Sequence, residues 1–339
     1  MDIDGSRALA DGMLERICDA LSLDRRTLAF EPITTGHFNH SFVIRDDRRP
    51  SFVVRIAPPD DAGFLFYERL MMRQEPPISE RLLAETSVPV PRVLSSDFSR
   101  EVTDRDYLVM EMLPGHALSE MGGRLTAAQT DNVLKRVGEC LREVHALEGT
   151  AYGYVGPHKP MEPYRRWADA FEKMWALIID DIIDCEAYPE SWRSPVGGLA
   201  SRHRDLFDYD GPPVLLHMDV WSQNILVDET GRLTGLIDWD RALYGDPEIE
   251  FSVLGYCGIS RPVFWQGYGP PPQKTREFLL RQTFYLLYEH QKYIVINRLR
   301  RKNHRRAAGY ASDCRRMLKS LAETLNDRPL LATSIGDVA

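Results

Sequence analysis

The chain has 339 residues, 43% hydrophobic and 27% charged, with a formal net charge of −8. That length buries a sizeable core and suggests two lobes, and the acidic balance argues against nucleic acid as the main partner, because phosphate backbones are gripped by clustered Lys and Arg. The five cysteines (Cys18, Cys140, Cys185, Cys257 and Cys314) are odd in number and lack a C-x-x-C pair, so neither a zinc site nor a disulfide framework is expected.

The start carries Asp2 and Asp4 and does not read as a signal peptide. No apolar run approaches the ~20 residues of a membrane span. A soluble, cytoplasmic protein with no membrane partner is expected, as a monomer or homodimer. Residues 7–22 set Leu9, Met13, Ile17 and Leu21 on one helical face. Residues 42–44 and 52–56 are short β-rich runs joined by a polar segment and read as a hairpin, with Gly36 just before it. Residues 64–85 look helical, interrupted by Pro76 and Pro77. Val88-Pro89-Val90-Pro91 leads into an extended stretch, and residues 107–112 form a further strand closed by Pro114-Gly115. Beyond Gly115 the texture is helical. Thr126 is the expected N-cap of a helix to about Leu147, a second helix covers 164–186, and 187–213 is a long connection. Strand texture returns over 214–238, and 273–325 is helical again. Strands and helices are segregated, so the expected class is α+β. The expected division is a small N-terminal lobe, 1–113, and a larger helical lobe, 114–335.

The chemistry concentrates in His217-Met218-Asp219-Val220-Trp221-Ser222-Gln223-Asn224, an H-x-D-x-x-x-x-N run. Apolar Ile225-Leu226-Val227 follows, then the turn Asp228-Glu229-Thr230-Gly231, then an apolar run into Asp238. The two runs flanking the turn should pair as a hairpin, which sets Asn224 and Asp238 at its open end on strands ~5 Å apart. One amide oxygen and one carboxylate facing the same volume suit Mg²⁺, which takes few carboxylates beside phosphates. Asp219 can accept a proton from a substrate hydroxyl, the arrangement of phosphoryl transfer; the D-x-x-x-x-N spacing is that of protein kinase catalytic loops. His217 is expected to brace the loop, and Asp246, in Gly245-Asp246-Pro247, to fix local backbone. Asp240 is a candidate metal or substrate contact.

These blocks resemble the aminoglycoside phosphotransferase and choline-kinase-like superfamily, which has a protein-kinase-like bilobal fold. The resemblance runs over about 33–255. It is specific at L-x-H-x-D-x-x-x-x-N-I-L-V, G-L-I-D-W-D and G-D-P, and looser at Gly36-His37-Phe38-Asn39-His40-Ser41-Phe42, Val53-Val54-Arg55-Ile56 and the strand ending Glu111-Met112. It implies Asp219 as catalytic base and Asn224 and Asp238 as Mg²⁺ ligands. It implies ATP or GTP held by Gly36, His37, Phe38, Asn39, Ser41 and Arg55, with the nucleobase at Glu111 and Met112. Arg55 stands where many kinases have Lys; its expected partner is Glu75, with Glu68 second.

For the acceptor, the acidic stretch with Asp180 and Asp184 and the late-helix residues Tyr285, Tyr288 and Glu289 are candidate contacts. The expected acceptor is a small cationic hydroxylated molecule, an aminoglycoside or related antibiotic first and an amino alcohol or sugar metabolite second. A catalytically silent nucleotide-binding protein on the same fold is the alternative. No P-loop, H-E-x-x-H or G-x-S-x-G motif occurs, and Gly267-Tyr268-Gly269 reads as a loop. The basic run 298–306 reads as a solvated face.

Overall fold

The structure is a computed structural model that describes residues 3–34, 36, 38–46 and 49–333. Helix α1 (Ile3–Ala20) precedes a five-stranded antiparallel sheet of β1 (Leu28–Ile33), β2 (His40–Asp46), β3 (Arg49–Ile56), β4 (Val93–Asp97) and β5 (Tyr107–Glu111), in the order β1-β2-β3-β5-β4. The two-residue period of β3 sorts its side chains. Phe52, Val54 and Ile56 pack with Met13 and Ile17 of α1, while Val53 and Arg55 face a cleft on the other side. The expected hairpin is thus the β2–β3 pair.

Helix α2 (Glu75–Glu85) begins at Glu75 with Pro76 and Pro77 in its first turn. The prolines start the helix and do not interrupt one, since the first-turn N–H groups have no intrahelical partner to lose. Residues 71–74 upstream are a 3₁₀ turn entered through Leu70 at φ +60°.

The rest is predominantly helical. After β6 (His116–Ala117), helix α3 (Ala127–Val144) starts at a capping box in which Thr126 and Gln129 satisfy each other's backbone N–H. Helix α4 (Trp167–Asp184) follows, and the long connection contains the short helices α5 (Arg193–Gly197) and α6 (Leu199–Arg202). Strands β7 (Val214–Leu216), β8 (Ile225–Val227), β9 (Leu233–Leu236) and β10 (Leu243–Gly245) form two small sheets, β6-β8-β9 and β10-β7. Then come α7 (Pro247–Tyr256), α8 (Pro262–Tyr268), α9 (Arg276–Val295), a π-helical turn at Ile296–Arg300, α10 (His304–Leu325) and α11 (Arg328–Leu331).

Gly267 and Tyr268, expected in a loop, close α8. A Cβ on Gly267 would stand 2.0 Å from the Lys135 carbonyl oxygen, so its glycine lets α8 lie against α3. The core of this half is aromatic, with Trp167, Phe171, Trp175, Phe207, Phe284, Tyr285 and Tyr288 all buried. Among the described residues no helix is long and apolar enough to cross a membrane.

Candidate active site

Strands β8 and β9 pair antiparallel, Ile225 opposite Leu236, and the Ile237 N–H donates to the Asn224 carbonyl at 3.1 Å. Asn224 and Asp238 therefore leave the open end of one hairpin side by side. The Asn224 amide nitrogen donates to Asp219 twice, to its carbonyl at 2.9 Å and its Oδ2 at 3.0 Å. That fixes the amide's orientation and leaves Asn224 Oδ1 as its free end. His217 is fully buried against Trp239. Its Nδ1 accepts from the Asp219 N–H at 3.3 Å, so the proton sits on Nε2, which donates to the Ile237 carbonyl at 3.0 Å. One imidazole thus ties the loop before the hairpin to the strand after it.

Met218 (φ +65°) and Asp238 (φ +72°) both adopt the left-handed conformation that side chains disfavour. Such strain persists where surrounding bonds over-determine it. At Met218 those bonds are its N–H to Glu250 and its carbonyl, which accepts from Arg241 Nη1 at 2.6 Å. Buried Glu250 also meets His145 Nε2 at 2.6 Å. Burial pushes its carboxyl up, but His145 and the Met218 N–H hold it below the usual range.

A cleft of about 470 Å³ runs from the sheet to this hairpin, and Gly36, Phe38, Asn39, Ser41, Arg55, Glu75, Glu111, Met112, Asn224 and Asp238 all line it. His37 lies outside the described residues. Arg55 is the hub. Its Nη1 pairs with Glu75, and its Nη2 with Asp238 and, at 3.1 Å, with Asp240. Asp240 Oδ2 also accepts from Asn39 Nδ2 at 3.0 Å. Asp240 is buried on this side of the site, between Arg55 and Asn39.

Three carboxylates share one guanidinium here. Burial would lower the Arg55 pKa, but Glu75, Asp238 and Asp240 outweigh it and raise it. Burial, with Asp238 adding to it, pushes the Asp240 carboxyl well up, and burial likewise raises Glu75. Oxygens of Glu75, Asp238 and Asp240 lie within 4.8 Å of one another. An all-oxygen set with surplus negative charge fits Mg²⁺, although the group differs from the expected Asn224–Asp238 pair. Of the three, Glu75 and Asp238 line the cleft, as does Asn224, and Asp238 has 36% of its side chain exposed.

The other side of Asp219 is built differently. Its Oδ1 lies 3.7 Å from Arg241 Nη1 and 3.7 Å from Lys292 Nζ. Both cations also pair with buried Glu289, Arg241 Nη2 at 2.8 Å. Glu289 therefore reaches the site, but as the partner of two internal cations and not as a free carboxylate for substrate. Arg241, Lys292 and Glu250 were not expected from the sequence. The available signals were weak: Arg241 directly follows Asp238-Trp239-Asp240, and Lys292 is one helical turn from Glu289.

The remaining acceptor candidates have partners of their own. Asp180 and Asp184 are both taken up by Arg193. Tyr288 is a core residue, and Tyr285 accepts from Trp167 Nε1 at 2.8 Å and donates to Asp246. Asp246 N-caps α7. Glu68, the second choice for Arg55, pairs with Arg300, whose guanidinium lies over the Phe38 ring at 4.7 Å. Arg298 donates to the Cys185 carbonyl, so two members of the basic run are internal, while Lys302, Arg305 and Arg306 are exposed.

The profile of the phosphotransferase enzyme family matches residues 29–278. The chain belongs to this family. Curated relatives include a hygromycin-B 4-O-kinase of Escherichia coli, 26% identical over 211 residues, which cover 58% of this chain and 54% of that protein. A ketosamine-3-kinase of Mus musculus is 23% identical over 224 residues, 60% of this chain and 70% of that protein. The chain thus spans about half the length of the hygromycin kinase. Among solved structures, the aminoglycoside phosphotransferase APH(4)-Ia in ternary complex with ADP and hygromycin B has a TM-score of 0.61 at 20% identity, covering 90% of this chain and 97% of that one. A fructosamine-3-kinase described as putative, from Haemophilus somnus, has a TM-score of 0.57 at 17% identity, covering 87% and 95%. The α+β kinase-like fold of these phosphotransferases is the fold of this chain.

Proposed function

We propose that the protein transfers the γ-phosphoryl group of ATP or GTP to a hydroxyl of a small molecule. The observation that carries this is the coupling of Asp219 to Asn224 at the mouth of the β8–β9 hairpin, with Asp238 beside it in the cleft. In this reading Asp219 accepts the hydroxyl proton. The acceptor oxygen forms a bond to the γ-phosphorus as the bond to the β–γ bridging oxygen breaks, and the nucleoside diphosphate leaves with that electron pair. Asn224 and Asp238 would hold Mg²⁺, whose charge offsets that of the phosphates. Arg55 grips phosphate as a planar fork, the segment from Gly36 to Ser41 covers it, and Glu111 and Met112 meet the nucleobase. The nucleotide lobe ends near residue 113, and the acceptor is held by the half beyond it, in a cytoplasmic enzyme.

Two acceptor classes follow from the relatives: an aminoglycoside, with a resistance role, and a ketosamine-like sugar metabolite. Of the carboxylates expected to bind a cationic acceptor, Glu289 is buried between Arg241 and Lys292, whereas Asp180 and Asp184 share the solvent-accessible Arg193.

Diphosphate release assayed over a panel of aminoglycosides, amino sugars and amino alcohols tests the reading. Asp219→Asn should lower kcat at least ~100-fold, the scale of general-base catalysis, while the thermal shift caused by Mg-nucleotide persists. Equal turnover by wild type and Asp219→Asn would sink it. Nucleotide binding with no turnover by the wild type would support the silent alternative.

A further inference from the structure

We propose that Lys292 is a positioning residue of the phosphoryl-transfer site, holding the Asp219 carboxylate in the orientation that receives the acceptor hydroxyl; this rests on the phosphotransferase reading above.

The argument starts from charge. Glu289 is buried and already meets Arg241 Nη2 at 2.8 Å, so one cation suffices to neutralise it. Lys292 is a second buried cation on the same carboxylate, and burying an ammonium without a counter-charge is costly. The remaining anion within reach is Asp219, at 3.7 Å from Lys292 Nζ. The four groups Asp219, Arg241, Glu289 and Lys292 thus close into a charge-balanced ring.

Geometry then says what the ring does. Asp219 Oδ2 accepts from Asn224 at 3.0 Å, while Oδ1 faces Arg241 and Lys292. The carboxylate is held at both edges by three segments: the hairpin loop, the turn between β9 and β10 that carries Arg241, and α9. It is still 30% exposed, so its open side can take a hydroxyl. An ammonium has three N–H donors. Among the described residues Lys292 has no acceptor beyond Glu289 and Asp219, and its far side rests on the Tyr293 ring at 4.9 Å. A hydroxyl bonded to Asp219 sits roughly 2.7 Å from it, which keeps Lys292 within about 6.5 Å of the oxygen that becomes bonded to phosphorus. Without Lys292 the carboxylate can turn toward Arg241 alone, and small misplacements of a reacting group cost up to ~100-fold.

The test compares Lys292→Met, Lys292→Arg and Glu289→Gln with wild type and Asp219→Asn in steady-state diphosphate release, using the best acceptor of the panel or, failing one, water. Lys292→Met should lose ~10–100-fold in kcat with the KM for Mg-nucleotide within about twofold. Lys292→Arg should recover to within about threefold of wild type. Glu289→Gln, which preserves volume and loosens the Lys292 anchor, should lose about three- to tenfold in kcat. A Lys292→Met variant within twofold of wild type overturns the proposal. So does Lys292→Arg as impaired as Lys292→Met, which would mark packing and not charge. If Lys292→Met does not fold, Glu289→Gln decides: a kcat within twofold of wild type overturns the proposal. An inactive Asp219→Asn beside an active Lys292→Met removes this inference alone. Equal rates for wild type and Asp219→Asn, or no release by the wild type, remove the reading beneath it as well.

Discussion

The two sides of the site solve opposite electrostatic problems. On the cleft side Glu75, Asp238 and Asp240 share the one guanidinium of Arg55. Toward α9, Asp219 and Glu289 share two cations, Arg241 and Lys292. The first group has surplus negative charge and calls for a further cation. The second is balanced and complete. A buried carboxylate without a counter-charge is expensive; in the proposed reading a metal–nucleotide complex would relieve that cost on the cleft side, whereas the α9 side already holds its carboxylate beside two cations.

The largest expected effect is at the surplus. Asp238→Ala removes the most exposed of the three carboxylates, and kcat/KM should fall more than ~1,000-fold, the scale of lost electrostatic stabilisation at a transferring group. The same variant should lose most of the Mg²⁺-dependent part of the nucleotide-induced thermal shift. Because one carboxylate fewer then opposes Arg55, its ligand-free melting temperature should not fall. A marked fall would mean that Asp238 serves the fold more than the metal.

Arg55→Lys comes next. Lys is a point charge and cannot bridge Glu75 and Asp238 together as the fork does. The KM for nucleotide should rise roughly tenfold, with kcat within about threefold. Steady-state kinetics at saturating acceptor decides it. An unchanged KM would reduce Arg55 to an internal brace and leave the phosphates to the Gly36–Ser41 segment.

The difference between the two sides also explains what was legible in the sequence. The hairpin and its pendant Asp219, Asn224 and Asp238 span twenty residues, so turn chemistry and strand period bring them together locally. The pairing of Arg55 with Glu75 was within reach because β3 and α2 are also near neighbours in sequence. The ring around Asp219 was not. Lys292 lies on a helix whose sequence shows Tyr285, Tyr288, Glu289 and Lys292 with equal prominence. Only the packing of α9 against the rest of the helical half sends the two tyrosines into the core and turns Lys292 toward Asp219. Asp180 and Asp184 illustrate the converse. Their acidity is visible, but their ion pairing with Arg193 is not, because Arg193 sits in what reads as a featureless connection. Pro76 and Pro77 looked like breaks in a longer helix because their position relative to its first turn depends on where that helix begins.

A carboxylate outside both groups extends the same charge accounting to its limit. Asp181 accepts the Phe66 N–H at 2.8 Å and has no cation partner among the described residues. Burial lifts its pKa to about 7, with Glu68, Asp184 and Asp180 adding to the rise. An unfolded aspartate titrates near ~3.9. Between those values the folded chain binds more protons than the unfolded one, so this group's contribution to stability is greatest at low pH and is lost as pH rises toward about 7. Asp181→Asn keeps an oxygen for the Phe66 N–H and cannot ionise. Its melting temperature should match or fall slightly below wild type at pH 5 and exceed it at pH 8, by roughly 1–2 °C for about 1 kcal/mol in a chain of this size. Melting curves of the two proteins across that range settle it. A constant gap would mean that Asp181 stays ionised in the fold throughout, and that charge without a partner is tolerated here at less cost than the cleft and α9 groups imply.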